Sequence, residues 1–144
     1  MQFDPENKVI QLCIEGMENE GAGKPEEAEK LFLQAWNESE NDFEKFTSAH
    51  YVARHQSSIT EKLKWDEIAL VAALNIKDES IKGSLPSLYL NIGKCYEDLK
   101  DYGLAIKNYK EALFYTNFLP ANEYGNMIKN GIEKGLARIS DLKW

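Results

Sequence analysis

The chain has 144 residues, 43% hydrophobic and 28% charged, which bounds it to one ordinary folded domain and excludes a fibrous or disordered chain. A formal charge of −7 argues against nucleic acid and anionic membrane as partners, an average that only a local basic patch would override. No apolar run approaches the roughly 20 residues that span a bilayer. The opening stretch Met1 to Lys8 has neither a basic segment nor an apolar one, so no secretory signal is expected. Cys13 and Cys95 lie far apart and form no CxxC pair, so they read as reduced thiols of a cytoplasmic protein.

Helical signals run the length of the chain. Pro5 precedes a first helix over Val9 to about Glu20, and Gly21 to Pro25 forms a turn, with the proline suited to a helix first turn. A second helix, about Glu26 to Ser39, carries apolar residues at Ala28, Leu31, Phe32, Ala35 and Trp36, a period near 3.6. Asn41-Asp42 reads as the N-cap of a third helix over Phe43 to Ser57. Ser57 to Glu61 reads as a loop or as continuing helix, followed by a fourth helix from Lys64 to Ile76. Lys77 to Pro86 is a polar connection. Helices over Leu88 to Leu99 and Tyr102 to Asn117 follow, separated by a turn at Lys100-Asp101. Pro120 breaks the chain before a last helix over Asn122 to Leu142, which Gly125, Gly131 and Gly135 weaken by roughly 1 kcal/mol each relative to alanine.

One spacing of small and aromatic residues occurs twice. Gly16 is followed by Ala28, Phe32 and Ala35, and Gly93 at the same intervals by Ala105, Tyr109 and Ala112. A small residue on the first helix of a hairpin lets the second approach closely, and the Ala-x3-aromatic-x2-Ala row fills the seam. With Tyr89, Ile92 and Tyr96 in place, residues 86–119 resemble the tetratricopeptide repeat, a 34-residue helix–turn–helix unit; Asn117 replaces its late proline. Residues 9–42 resemble it less completely, since Glu15 and Asn19 stand at apolar and aromatic positions. A degenerate middle repeat over 43–82 is placed with Ala53 as the small residue, Trp65 as the turn aromatic, and Ile68 and Ala72 in the seam. The resemblance implies an all-α, right-handed superhelical stack of about three hairpins. All of 1–144 then makes a single domain, and residues 122–142 form its solvating cap.

The resemblance also implies a concave groove lined by first helices. The groove positions hold Cys13 and Met17, then His50 and Arg54, then Leu90 and Lys94, with Tyr51 and Asn91 beside them. On neighbouring first helices Arg54 and Lys94 would form a small positive patch suited to a carboxylate or another anionic group, and Cys13, Met17 and Leu90 an apolar neighbour for an extended peptide. Pairing of Arg54 and Lys94 with Glu20, Glu97 or Asp98 is the competing reading. Chaperone-tail binders of this family clamp a carboxylate with Lys and Asn where this chain has Cys13 and Met17, which speaks against such tails as ligand.

The expected function is therefore a non-catalytic adaptor that binds a protein or peptide, with no cofactor and no metal. His50 and His55, five residues apart, point about 140° away from each other on a helix and cannot chelate one ion. One of them is expected to serve as a core or capping residue, and Trp36 and Trp65 as packing residues. An enzyme would need Cys13 or Cys95 beside His50 or His55, with no third orienting group evident. No phosphate loop, dinucleotide fingerprint, HExxH or GxSxG occurs. A small-ligand binder and a self-associating module docked through the Tyr124 to Leu136 segment are the remaining alternatives.

Overall fold

Polar side chains at the helix starts divide the chain into its elements. In the computed structural model, which describes residues 4–142, Asn7 opens α1 (Lys8–Gly21) by accepting from the Ile10 N–H at 3.0 Å. Pro25, with φ preset by its ring, starts α2 (Pro25–Asn37). Asn41 caps α3 (Asp42–Ala53) and Ser58 caps α4 (Ile59–Leu74). A 3-10 turn at Glu79–Gly83 leads into α5 (Leu85–Asp98). Asp101 caps α6 (Tyr102–Phe114), a second 3-10 turn covers Thr116–Phe118, and Asn122 caps α7 (Glu123–Ser140). Each cap satisfies a backbone N–H that a helix start leaves open. No strand occurs among the described residues, and the fold is all-α. Trp144 lies outside the described residues.

Several boundaries differ from those the periodicity predicts: α3 ends at Ala53 rather than Ser57, and α6 at Phe114 rather than Asn117. Helix α4 begins at Ile59 rather than near Lys64, because the Ser58 hydroxyl accepts from the Glu61 N–H and extends the helix backwards. Helix α5 begins at Leu85, so Pro86 sits inside its first turn rather than before it.

The turns of the hairpins α1–α2 and α5–α6 share one geometry. Gly23 has φ of 75°, and the Gly23 and Lys24 N–H groups reach back to the Glu20 and Asn19 carbonyls. Lys100 has φ of 64°, and the Lys100 and Asp101 N–H groups reach back to the Glu97 and Tyr96 carbonyls. Both close the helix C-terminus with a left-handed residue, which glycine adopts freely and lysine does not.

The chain divides between Lys77 and Asp78 into two compact units. In the first, α1–α2 and α3–α4 are hairpins and α3 packs on both α1 and α2. Phe32, fully buried with Ala28 and Val52, centres its core, with Met17, Tyr51, Trp36 and Trp65 around them. Trp36 and Trp65 meet edge to face at 5.1 Å between centroids, the packing role expected of them. On α4, of the expected Ile68 and Ala72, Ala72 is buried while Ile68 is only half-buried; Ala69 and Ala73 are fully buried beside them. In the second unit α5–α6 is the hairpin and α7 packs on both of its helices. Tyr109, Ala105, Ala112, Ile128, Ile132 and Ile139 form its core. Burial of each large side chain contributes roughly 1.5–3 kcal/mol.

Candidate functional site

The same framework sits beneath the candidate residues of each unit. A Cβ on Gly16 would overlap the Phe32 ring, and one on Gly93 would lie 2.8 Å from the Tyr109 ring. The aromatic of the second helix thus rests on bare backbone of the first. One turn beyond each glycine stands a glutamate, and each receives an arginine from the third helix of its unit. Arg54 donates to Glu20 at 2.6 Å, and Arg138 donates to Glu97 through Nε at 2.8 Å and Nη2 at 2.9 Å. In both units the residue three before that arginine covers the buried aromatic ring. Tyr51 stacks on Phe32 at 5.0 Å between centroids, and a Cβ on Gly135 would come within 2.5 Å of the Tyr109 ring.

Of the expected groove residues in the first unit, Tyr51 and Arg54 are accessible. Tyr51 is half-buried, and Arg54 lies over its ring at 4.7 Å with 44% of its side chain exposed. Glu20 also takes a hydrogen bond from the His55 Nε2 at 2.8 Å. Cys13 does not line a groove: it is 1% exposed, sealed among Val9, Leu12 and Ala35 with Leu31 and Tyr51 against them. Met17 is half-buried against the Phe32 cluster. The His50 imidazole turns inward, its ring 5.3 Å from that of Tyr51 and its Nδ1 buried without a hydrogen-bond partner. His50 is thus a core residue rather than a groove residue.

In the second unit Asn91 is half-buried and Lys94 exposed, with the Lys94 ammonium held by Asp98 one turn on. Leu90 is half-buried beneath α7, where a Cβ on Gly131 would lie 3.0 Å from Leu90 Cδ2. It packs against the isoleucine core and offers no open apolar neighbour. Arg54 and Lys94 are therefore both ion-paired, the competing reading. Such exposed pairs contribute only about 0.2–1 kcal/mol, so an incoming carboxylate competes with Glu20 and Asp98 at small cost.

Burial decides the chemistry of the remaining groups. It pushes the Cys13 thiol up to about 12, so the thiolate needed of a nucleophile does not form at neutral pH. Burial, then the charges of Arg54 and Lys62, push the His50 imidazole down to about 4. Cys95 is also buried. Among the described residues no cluster of three His, Cys, Asp or Glu side chains could hold a metal ion, and no helix is long and apolar enough to cross a membrane.

Residues 86–113 match the family model of the tetratricopeptide repeat. The chain carries a tetratricopeptide repeat. The match covers α5 and nearly all of α6, the stretch where Gly93 meets Tyr109. Tetratricopeptide repeats generally mediate protein–protein interaction and are typically non-catalytic scaffolds. No curated protein and no solved structure matches the chain.

Two surfaces escaped the residue-by-residue reading. An open trough of about 730 Å³ in the first unit is floored by Trp36, Leu63, Ile68 and Val71 and rimmed by Lys45, Lys64, Asp42 and Glu67. In the second unit Phe114 is 70% exposed and meets Tyr115 edge to face at 5.0 Å, with Phe118 half-exposed beside it. The signals were in the sequence as Val71 and Phe114, apolar residues off the buried stripe of their helices.

Proposed function

We propose that this chain is a non-catalytic scaffold that binds a protein or peptide through its first-helix faces. Each unit presents its own face: Tyr51 on α3 with Arg54 at its C-cap in the first, and Asn91 and Lys94 on α5 in the second. One observation carries the reading: both thiols, Cys13 and Cys95, are buried, while Arg54 and Lys94 stand half-exposed on weak surface pairs. A partner segment bearing a carboxylate fits either cation by itself, and at Arg54 it meets a planar two-pronged donor with the Tyr51 ring as a platform beside it.

The test is affinity capture from native cytosol with the wild-type chain and with Arg54→Glu/Lys94→Glu. A partner retained by the wild type and lost by the double variant supports the reading; equal retention moves binding off these faces. Reaction of Cys13 with a thiol reagent at neutral pH in the folded chain would instead favour an enzyme.

Self-association is a second reading, favoured by the exposed Phe114 and Phe118. A clean monomer in sizing chromatography at high concentration removes it.

A further inference from the structure

Helix α7 stands against α5 and α6 as α3 stands against α1 and α2. The correspondence holds residue by residue: Arg138 on Glu97 matches Arg54 on Glu20, and Gly135 over Tyr109 matches Tyr51 over Phe32. Ile132 and Ser48, at the matching positions one turn earlier, are both fully buried. Helix α3 continues into α4, which forms a hairpin with it. The face of α7 that corresponds to the α4-facing side of α3 is polar and exposed, with Lys129, Asn130, Glu133 and Ala137 where α3 has buried Ala49 and Ala53 nearby.

The seat under α7 has a definite chemistry. The Tyr109 ring leaves no room for a side chain at Gly135, and Leu90 leaves room only for a small residue at Gly131. Ile128, Ile132 and Ile139 fill the apolar seam on either side. Glu97, only 12% exposed, demands a cation, which Arg138 supplies with two donors. Gly131 and Gly135, which make this fit possible, together with Gly125 also make α7 a poor helix by itself, so its helicity depends on staying docked.

We propose that α7 is a displaceable occupant of this seat, and that the α5–α6 hairpin accepts in its place an amphipathic helix of a partner protein. That helix carries isoleucine-like residues four and then seven apart, small residues where it crosses Leu90 and Tyr109, and an arginine opposite Glu97. Helix α7 closes the seat when the partner is absent. The proposal rests on the reading of the chain as a protein-binding scaffold, but not on Arg54 or Lys94.

The probe is a fluorescein-labelled peptide of residues 122–142, titrated into full-length wild type and full-length Gly135→Leu while hydrogen exchange reports the docking of α7. A leucine at position 135 collides with the Tyr109 ring and unseats the chain's own helix. The expected result is rapid exchange across residues 123–140 in the variant, and peptide binding at least roughly tenfold tighter than to wild type, where the tethered α7 competes at high effective concentration. Arg138→Glu in the peptide should abolish that gain, and Arg54→Glu/Lys94→Glu in the full-length variant should leave it intact. An unseated α7 with no gain in peptide binding overturns the proposal. So does loss of α5–α6 protection in both Gly135→Leu and the milder Arg138→Glu, which would make α7 an integral part of the hairpin. Undiminished protection of α7 in Gly135→Leu overturns the close fit on which the seat depends.

Discussion

Glu97 on α5 accepts two hydrogen bonds from Arg138 on α7, across 41 residues of sequence, and a third from the Tyr109 hydroxyl at 2.6 Å. Three helices therefore meet at one carboxylate. Glu97→Ala is expected to lower stability by about 1–3 kcal/mol, chiefly because the buried Tyr109 side chain loses the acceptor of its hydroxyl. Chemical denaturation measures this, and an unchanged midpoint would show that the carboxylate holds nothing. The Arg138 guanidinium, then the Tyr109 hydroxyl, hold the Glu97 carboxyl below the usual glutamate range. Its contribution is present above the unfolded-state value and fades as pH falls through the lower folded one.

Gly93→Leu is expected to disrupt the second unit. A Cβ there already lies 2.8 Å from the Tyr109 ring, and a leucine has no space against a ring fixed from the other side by α7. Overpacking of this kind costs about 1–3 kcal/mol, more where neighbours cannot shift. Thermal unfolding followed by circular dichroism gives the answer, and an unaltered midpoint contradicts the close approach.

Lys100→Gly is expected to stabilise the α5–α6 turn. Lysine at φ of 64° bears a strain that glycine avoids, worth about 1 kcal/mol, whereas Gly23→Ala at φ of 75° should cost a comparable amount. Melting both variants checks the pair: equal and opposite shifts in Tm are the expected pattern, and a destabilised Lys100→Gly would contradict it.

The repeats at Gly16 and Gly93 were legible because they depend on fixed spacings within one hairpin, where a missing side chain and an aromatic sixteen residues later must meet. The partners of Glu20 and Glu97 were not legible in this way. Arg54 and Arg138 lie on third helices, at distances of 34 and 41 residues that the intervening turns alter. Cys13 and His50 occupy positions that a regular repeat turns toward its groove, yet here Tyr51 packs over both. Ile68 was misplaced in the seam of α4 because Ala69, Ala72 and Ala73 share its buried side, and small residues alone do not say which one touches the neighbour.

His50 makes the first unit sensitive to acid. Burial, then Arg54 and Lys62, lower its pKa from 6.5 to about 4, so the unfolded chain takes up a proton between those values and the folded chain does not. Stability contributed by the neutral ring is complete above pH 6.5 and is lost as pH falls toward 4, by at most about 3 kcal/mol. His50→Leu should flatten that dependence. Denaturation midpoints at pH 7 and pH 4.5 decide it: a stability gap between wild type and variant that stays constant with pH contradicts the assignment.

The scaffold reading is tested most directly by a hydrogen-exchange footprint of the full chain with a captured partner. Slowed exchange concentrated at residues 47–54 and 90–94, and absent in Arg54→Glu/Lys94→Glu, is the predicted result. Protection confined to the α4 trough, or to residues 114–118, would contradict binding through the first-helix faces.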